Sequence, residues 1–328
     1  MKPLPGFLLF LSCALWSVSC SKAPTPSIPT ESDKSYLFSY FLDNGEDGLH
    51  LAWSSDGITW DVLNNGAPFL TPNVGESRLM RDPCVTQGPD GTFHMVWTDS
   101  WHSQTIGYAS TKDFIHWSEQ KTIPVMQRKT DALNCWAPEI NYDSELGQFI
   151  IFWATTLPGE FTETWFDGQN DNNHRIYYTT TKDFEHFTPT EVFFDPGFNC
   201  IDSTILRKDG VYCMFFKDET NYPEPMKNIR LAVANHLSGP YSVLPDEITP
   251  KNSWVEGPTA VSIGEYTYLY FDVYMAHHYA ALRSKDLVHW EDLSEQLSMP
   301  EGIRHGTVFS VAPEVLERLL SFNKTEKQ

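Results

Sequence analysis

Trp254-Val255-Glu256-Gly257-Pro258-Thr259-Ala260-Val261 places one ionisable side chain at the mouth of an apolar, β-prone run. The arrangement recurs. Arg81-Asp82-Pro83-Cys84-Val85, Cys135-Trp136-Ala137-Pro138-Glu139-Ile140, Cys200-Ile201-Asp202-Ser203-Thr204-Ile205 and Arg304-His305-Gly306-Thr307-Val308 each set a titratable residue just before or inside a short strand-like run. Such recurrence marks a repeat protein whose strand entrances converge on one place.

Four full units follow from it. Arg81 to Gln87, Thr92 to Thr98, Thr105 to Ser110 and Trp117 to Ile123 form one, with turn chemistry at Gly88-Pro89-Asp90-Gly91. Three more open near Cys135, Cys200 and Trp254. Their third runs share a signature, an Asp with an aromatic residue four positions on: Asp113 with Trp117, Asp183 with Phe187, Asp286 with Trp290, and in the N-terminal piece Asp56 with Trp60. An Asp in a tight turn bonds its own backbone, so these four aspartates read as structural. The N-terminal piece lacks a first strand opening on a charged residue, and Arg304 to Val311 is a first strand with nothing behind it. The two complete each other. The expected fold is therefore all-β, a five-bladed β-propeller closed by a C-terminal strand joining the N-terminal blade, with openings roughly fifty to sixty-five residues apart. A helical period appears only at Pro313 to Leu320.

Composition agrees with many short strands: 14% aromatic residues, 22 Pro and 19 Gly in 328 residues. A net charge of −20 argues against nucleic acid as a partner. Residues 1–20 read as a lipoprotein-type signal, with an apolar Leu4 to Val18 too short for a membrane span and Ser17-Val18-Ser19-Cys20 as a lipobox-like end. Residues 21–35, rich in Pro, Ser and Thr, read as a tether, leaving 36–328 as the propeller domain. An envelope lipoprotein, anchored only through Cys20 and most simply in an outer membrane, is the expected location. Cys84, Cys135, Cys200 and Cys213 then remain, enough for two disulfides in three pairings or, the favoured reading, for buried free thiols. In a hairpin across Lys208-Asp209-Gly210, Cys213 is expected to face Ile205.

First strands line a propeller axis, so Asp82, Asp202, Glu256, His305 and the Trp136 to Glu139 segment are expected at one end of it. The connections between second and third strands emerge there too: Asp99 to Ser103 with Trp101, Pro158 to His174 with Trp165, Asp218 to Lys227, and Asp272 to His278. Aromatic and acidic walls suit stacking on sugar rings and bonding to hydroxyls. Carboxylates around a neutral polyol pocket point to glycosidic bond cleavage.

The ordered set Arg81-Asp82-Pro83, Trp136-Ala137-Pro138-Glu139, Ile201-Asp202-Ser203 and Val255-Glu256-Gly257-Pro258 resembles glycoside hydrolase family 43 over nearly the whole chain beyond the tether. The resemblance implies an inverting hydrolase of arabinofuranosyl, xylosyl or galactosyl linkages in plant polysaccharides. It implies Asp82 as general base, Asp202 as the carboxylate that orients and tunes the acid, and Glu256 as general acid. It also implies a position for His305 near the axis, as the ligand of a hydrated cation, often calcium; packing within the axis is the other reading of that residue. No cofactor is required otherwise, and no obligatory protein partner is expected. Trp136, Glu139, Trp101, Trp165 and Arg304 complete the expected substrate contacts, with Trp136 favoured over Trp254 as a sugar platform. Three other readings stay open: a sialidase-like hydrolase, suggested by Ser55 to Trp60; a fructan hydrolase; and a carbohydrate-binding lipoprotein without catalysis.

Overall fold

Among the described residues, short runs of β-branched and aromatic residues between Gly-, Pro- and Asp-rich turns form twenty strands, followed by one α-helix. The computed structural model describes residues 35–167 and 172–325. The expected signal segment, Cys20, nearly all of the tether and residues 168–171 of the Pro158–His174 loop lie outside the described residues. The first blade holds β1 (Ser35–Tyr40), β2 (His50–Ser54) and β3 (Asp61–Val62). The second holds β4 (Arg81–Gln87), β5 (Phe93–Thr98), β6 (Ile106–Thr111) and β7 (Lys121–Ile123). β8 (Trp136–Asp143), β9 (Gln148–Thr156), β10 (His174–Thr181) and β11 (Glu191–Phe194) make the third, and β12 (Cys200–Lys208), β13 (Val211–Asp218), β14 (Asn228–Ala234) and β15 (Ser242–Glu247) the fourth. The fifth holds β16 (Glu256–Ile263), β17 (Tyr266–Val273), β18 (His278–Ser284) and β19 (Glu291–Asp292), before β20 (Thr307–Val311) and α1 (Pro313–Thr325).

Each blade is an antiparallel sheet in sequence order, except that β20 pairs on the axis side of β1, with Ser35 opposite Val311 and Ser39 opposite Thr307. The five-bladed ring closed by its C-terminal strand is thus the observed fold. Second strands such as β9 and β13 are buried almost throughout, because neighbouring blades cover both of their faces. The outermost β3 and β19 are exposed and acidic, which blunts the sheet edges.

Five apolar clusters fill the five gaps between blades; one joins the second and third blades through Val96, Tyr108, Ile151 and Trp153, and another seals the seam through Phe38, Tyr270 and Val308. Helix α1 adds Leu316 and Leu319 to the cluster between the first and second blades.

The aspartate signature is structural, as the sequence implies. Asp56, Asp113, Asp183 and Asp286 each accept two backbone N–H groups of the turn at 2.8–3.0 Å. The next residue is left-handed in all four turns, at φ between 60° and 75°. Gly57 fills that position in the first blade because a Cβ there would lie 2.4 Å from Ile263 and 2.8 Å from the Tyr270 hydroxyl. All four cysteines of the described residues are buried free thiols. The hairpin is one residue tighter than expected: Lys208 pairs with Val211 across Asp209-Gly210, both with positive φ, so Cys213 faces Leu206 and not Ile205.

Candidate active site

One backbone irregularity, repeated four times, builds the site. Pairing of the opening strand slips between Arg81 and Cys84, Trp136 and Glu139, Ile201 and Thr204, and Glu256 and Thr259. The second residue of each bulge is left-handed: Asp82 at φ 52°, Ala137 at 45°, Asp202 at 52° and Gly257 at 57°. Three of the four are followed by proline, which has no N–H to lose where the ladder is broken. Bulges of this kind re-aim side chains, and here they turn Asp82 and Asp202 inward. Glu256 is not their counterpart. It stands one position earlier, in register with Arg81, Trp136 and Ile201, while Gly257 occupies the left-handed position.

A Cβ on Gly257 would lie 2.5 Å from His305 Cγ, so the glycine is what lets the imidazole pack against β16. His305 Nδ1 then reaches Asp82 Oδ1 at 3.4 Å, and the Thr98 hydroxyl donates to Asp82 Oδ2 at 2.8 Å. Burial pushes Asp82 up, but His305, the charge of Arg81 and the Thr98 hydroxyl outweigh it and hold the carboxyl below the usual aspartate value. Burial likewise opposes charge on His305, yet Asp82, Asp202 and Glu139 outweigh it and lift its pKa to about 9. Asp202 accepts the Gly257 N–H at 3.0 Å and is pushed up to about 6, first by burial and then by Glu256 and Asp82, against His305 and Lys217. Asp82 is therefore ionised at neutral pH, beside an imidazolium.

Glu256 sits between two cations, Lys217 Nζ at 3.0 Å from Oε2 and Arg304 Nη2 at 3.4 Å from Oε1. Arg304 is fixed in turn by Asp272, Nε to Oδ2 2.7 Å. Asp82, Asp202, His305, Lys217 and Glu256 open onto a cavity of about 320 Å³ whose walls include Trp101, Trp136, Trp254 and Tyr274. The Trp136 indole N–H donates to the Trp101 carbonyl at 2.9 Å, and the two rings meet edge to face.

Asp82, Asp202, Glu256, His305, Trp101 and Trp136 thus share one cavity. Three expected contacts are placed elsewhere. Glu139 is 5% exposed, its oxygens taken by the Thr204 and Thr307 hydroxyls, and burial pushes it up to about 7; it is buried too deeply to bind substrate and acts on the site through its charge. Trp165, on the short 3-10 helix Thr162–Asp167, is outside the cavity lining, and Arg304 stands behind Glu256 without lining the cavity itself. Trp254, which the sequence reading set below Trp136, is part of the wall. Lys217 was missed, and Glu219 was covered only as part of the Asp218 to Lys227 connection; their signal is the charge cluster Lys217-Asp218-Glu219 at the exit of an apolar strand.

Among the described residues, no group of three or more His, Cys, Asp or Glu side chains is placed to hold a metal ion. His305 would bring a single nitrogen to a hydrated cation and already faces Asp82.

A five-bladed ring with an axial cluster of carboxylates under an aromatic-walled cavity is the build of a propeller glycosidase. Residues 31–317 match the family described as a probable glycosyl hydrolase domain related to glycoside hydrolase family 43, and the chain belongs to that family. An α-L-arabinofuranosidase of Bifidobacterium longum subsp. longum is 24% identical over 265 residues, 68% of this chain and 25% of the relative. The chain thus spans about a quarter of the length of that curated relative. The crystal structure of a thermostable family-43 glycoside hydrolase superposes with a TM-score of 0.52 at 16% identity, covering 71% of this chain and 80% of the other, a likeness of fold.

Proposed function

We propose that the protein is an inverting glycosidase that removes arabinofuranosyl or related pentosyl units from plant polysaccharides or oligosaccharides. The observation that carries the reading is the pairing of an ionised Asp82 with Glu256 around one aromatic-walled cavity. Asp82 takes a proton from a water as its oxygen attacks the anomeric carbon. The bond to the leaving oxygen breaks on the opposite face, and Glu256 gives that oxygen its proton. Asp202, hydrogen-bonded to the residue after Glu256, orients the acid's strand and adds negative charge beside it. Trp136, Trp101 and Trp254 offer rings for the sugar faces. Family membership and the arabinofuranosidase relative support the substrate class. The lipid anchor at Cys20, a cell-envelope location and action without a protein partner remain part of this proposal.

Proton NMR of the first-formed sugar, read before mutarotation, tests it with 4-nitrophenyl α-L-arabinofuranoside and arabinan. Inverted product is expected. A retained anomer removes Asp82 from the role of base, and no turnover of either substrate or of the β-xyloside and β-galactoside counterparts removes the glycosidase reading.

A further inference from the structure

The candidate acid is one link in a chain of alternating charges that crosses the fourth and fifth blades. Lys227 Nζ lies 2.6 Å from Glu219 Oε1, and Lys217 Nζ lies 2.8 Å from Glu219 Oε2 and 3.0 Å from Glu256 Oε2. Arg304 and Asp272 continue the chain beyond Glu256. Lys217 and Lys227 are almost wholly buried, at 2% and 0% side-chain exposure. Lone buried ammonium groups are costly, so each must be neutralised by the carboxylates it touches.

Glu256 has a task that two adjacent cations oppose. A proton donor must hold its proton until the leaving oxygen needs it, and an opposite charge within ~4–6 Å favours the ionised carboxylate. Lys217, however, is shared. It stands between Glu219 and Glu256 at nearly equal distances, and Glu219 lines the same cavity. Burial pushes Glu219 up, but Lys217 and Lys227 outweigh it and keep its carboxyl low, so Glu219 supplies a standing negative charge. Charged and titratable groups reach Glu256 from every neighbouring element. Lys217 comes from β13 with Glu219 just beyond it, Asp202 from β12, Asp272 from β17 with Tyr274 just beyond it, Tyr279 from β18, and Lys227 and Arg304 from the segments before β14 and β20. Arg304 is already committed to Asp272 through its Nε. Lys217 is therefore the cation whose hold on Glu256 depends on a further partner.

We propose that Glu219 is a positioning residue: it shares the Lys217 ammonium with Glu256 and so weakens the hold of that cation on the proton donor. The inference rests on Glu256 being the general acid. Without Glu219, Glu256 is the one carboxylate left in ion-pair contact with Lys217, and nothing shares that ammonium with it. Without Lys217, Glu256 loses a cation and holds its proton to higher pH.

The test follows Glu256 in the full-length protein by carbon-13 NMR with carboxyl-labelled glutamate, its resonance assigned by loss in Glu256→Gln. The basic limb of the kcat profile is measured alongside on methyl and 2,4-dinitrophenyl α-L-arabinofuranosides. In Glu219→Gln the Glu256 midpoint should fall by about one pH unit, and in Lys217→Met it should rise by about one. The basic limb should move with it, and Glu219→Gln should lose about tenfold on the methyl glycoside at neutral pH and little on the dinitrophenyl one, whose leaving group needs no proton. Glu219→Asp should restore part of the loss. Midpoints unchanged in both variants overturn the proposal, whatever the stability does. Midpoints that move while both substrates keep their pH limbs uphold the charge coupling and instead remove Glu256 from the role of acid. If Glu219→Gln does not fold, the Lys217→Met midpoint alone decides, and one that stays in place overturns the proposal.

Discussion

The backbone N–H of Gly257 donates to Asp202 Oδ2 at 3.0 Å, tying the aspartate of the fourth blade to the residue that follows Glu256 in the fifth. Two bulges from neighbouring blades meet at this bond. The backbone beside Glu256 is therefore held by a partner on another sheet.

Gly257→Ala tests how much depends on that junction. The residue is left-handed at φ 57°, and a Cβ would meet His305 at 2.5 Å. The backbone strain alone is worth about 1–3 kcal/mol, to which the clash adds. A lower melting temperature and a large loss of kcat are expected together. A protein with wild-type stability and kcat would show that the bulge has room to relax.

Asp82→Asn removes the proposed base and the partner of His305. A loss of about 10²–10⁴ in kcat is expected, as for removal of a general base. The variant should also change the pH dependence of stability. The His305 pKa is raised to about 9 from an ordinary 6.5, so its contribution is fully present below about pH 6.5 and lost as pH rises through 9. Melting curves across that window should fall more steeply for the wild type than for Asp82→Asn.

For Asp202 the sign is the same, but the window lies lower and the charged form is the one disfavoured by folding. Its folded pKa is raised from 3.8 to about 6, so the unfolded chain releases this proton first, and stability from this group falls as pH rises through that interval. Asp202→Asn should gain on the wild type in melting temperature between pH 4 and 7 while losing activity. A parallel pair of curves over that range would refute the assignment of a strained, buried carboxylate.

Trp136→Ala should raise KM by about tenfold on the loss of roughly 1.4 kcal/mol of stacking, with a smaller change in kcat. Trp165→Ala, outside the cavity lining, should leave both constants near wild type on aryl glycosides. Steady-state kinetics on the two variants separates a sugar platform from a surface aromatic.

Arg175, 0% exposed, donates to Asp195, Thr164, Asn173 and the His174 carbonyl, and so fastens the ends of the Pro158–His174 loop to the third blade. Arg175→Met removes all four donations, leaving Asp195 with the Gly197 N–H and Asn173 with the Thr164 hydroxyl, and should cost about 3 kcal/mol, seen by urea denaturation. The loop is more than a surface appendage, and trimming it past Thr164 or Asn173 should cost stability as well.

The ring was legible in the sequence because its signal is repeated: an ionisable residue at each first-strand opening, and an Asp with an aromatic four residues on at each outer turn. Asp82 and Asp202 could be aligned for the same reason. What escaped was the bulge, since a one-residue slip in pairing depends on backbone geometry across two strands and not on any residue type alone. Glu256 consequently read as the equal of Asp82, although it stands one position earlier. Lys217 escaped for a different reason. A buried lysine differs from an exposed one only through its partners, and Glu256 is brought to Lys217 and Glu219 from another blade. Glu139 read as a substrate contact because its burial beneath Thr204 and Thr307 is a property of the closed ring.

The seam of the ring also orders events during synthesis. Arg304 and His305 immediately precede β20, the strand that docks on β1 from the opposite end of the chain. A nascent chain can complete its middle blades, each a local meander, well before residues 304–311 leave the ribosome. Until then Asp82 has no imidazolium and Glu256 no guanidinium. The last segment of the sheet to be made is the one that arms the site, so a chain broken off before it should be folded in large part and silent as a catalyst.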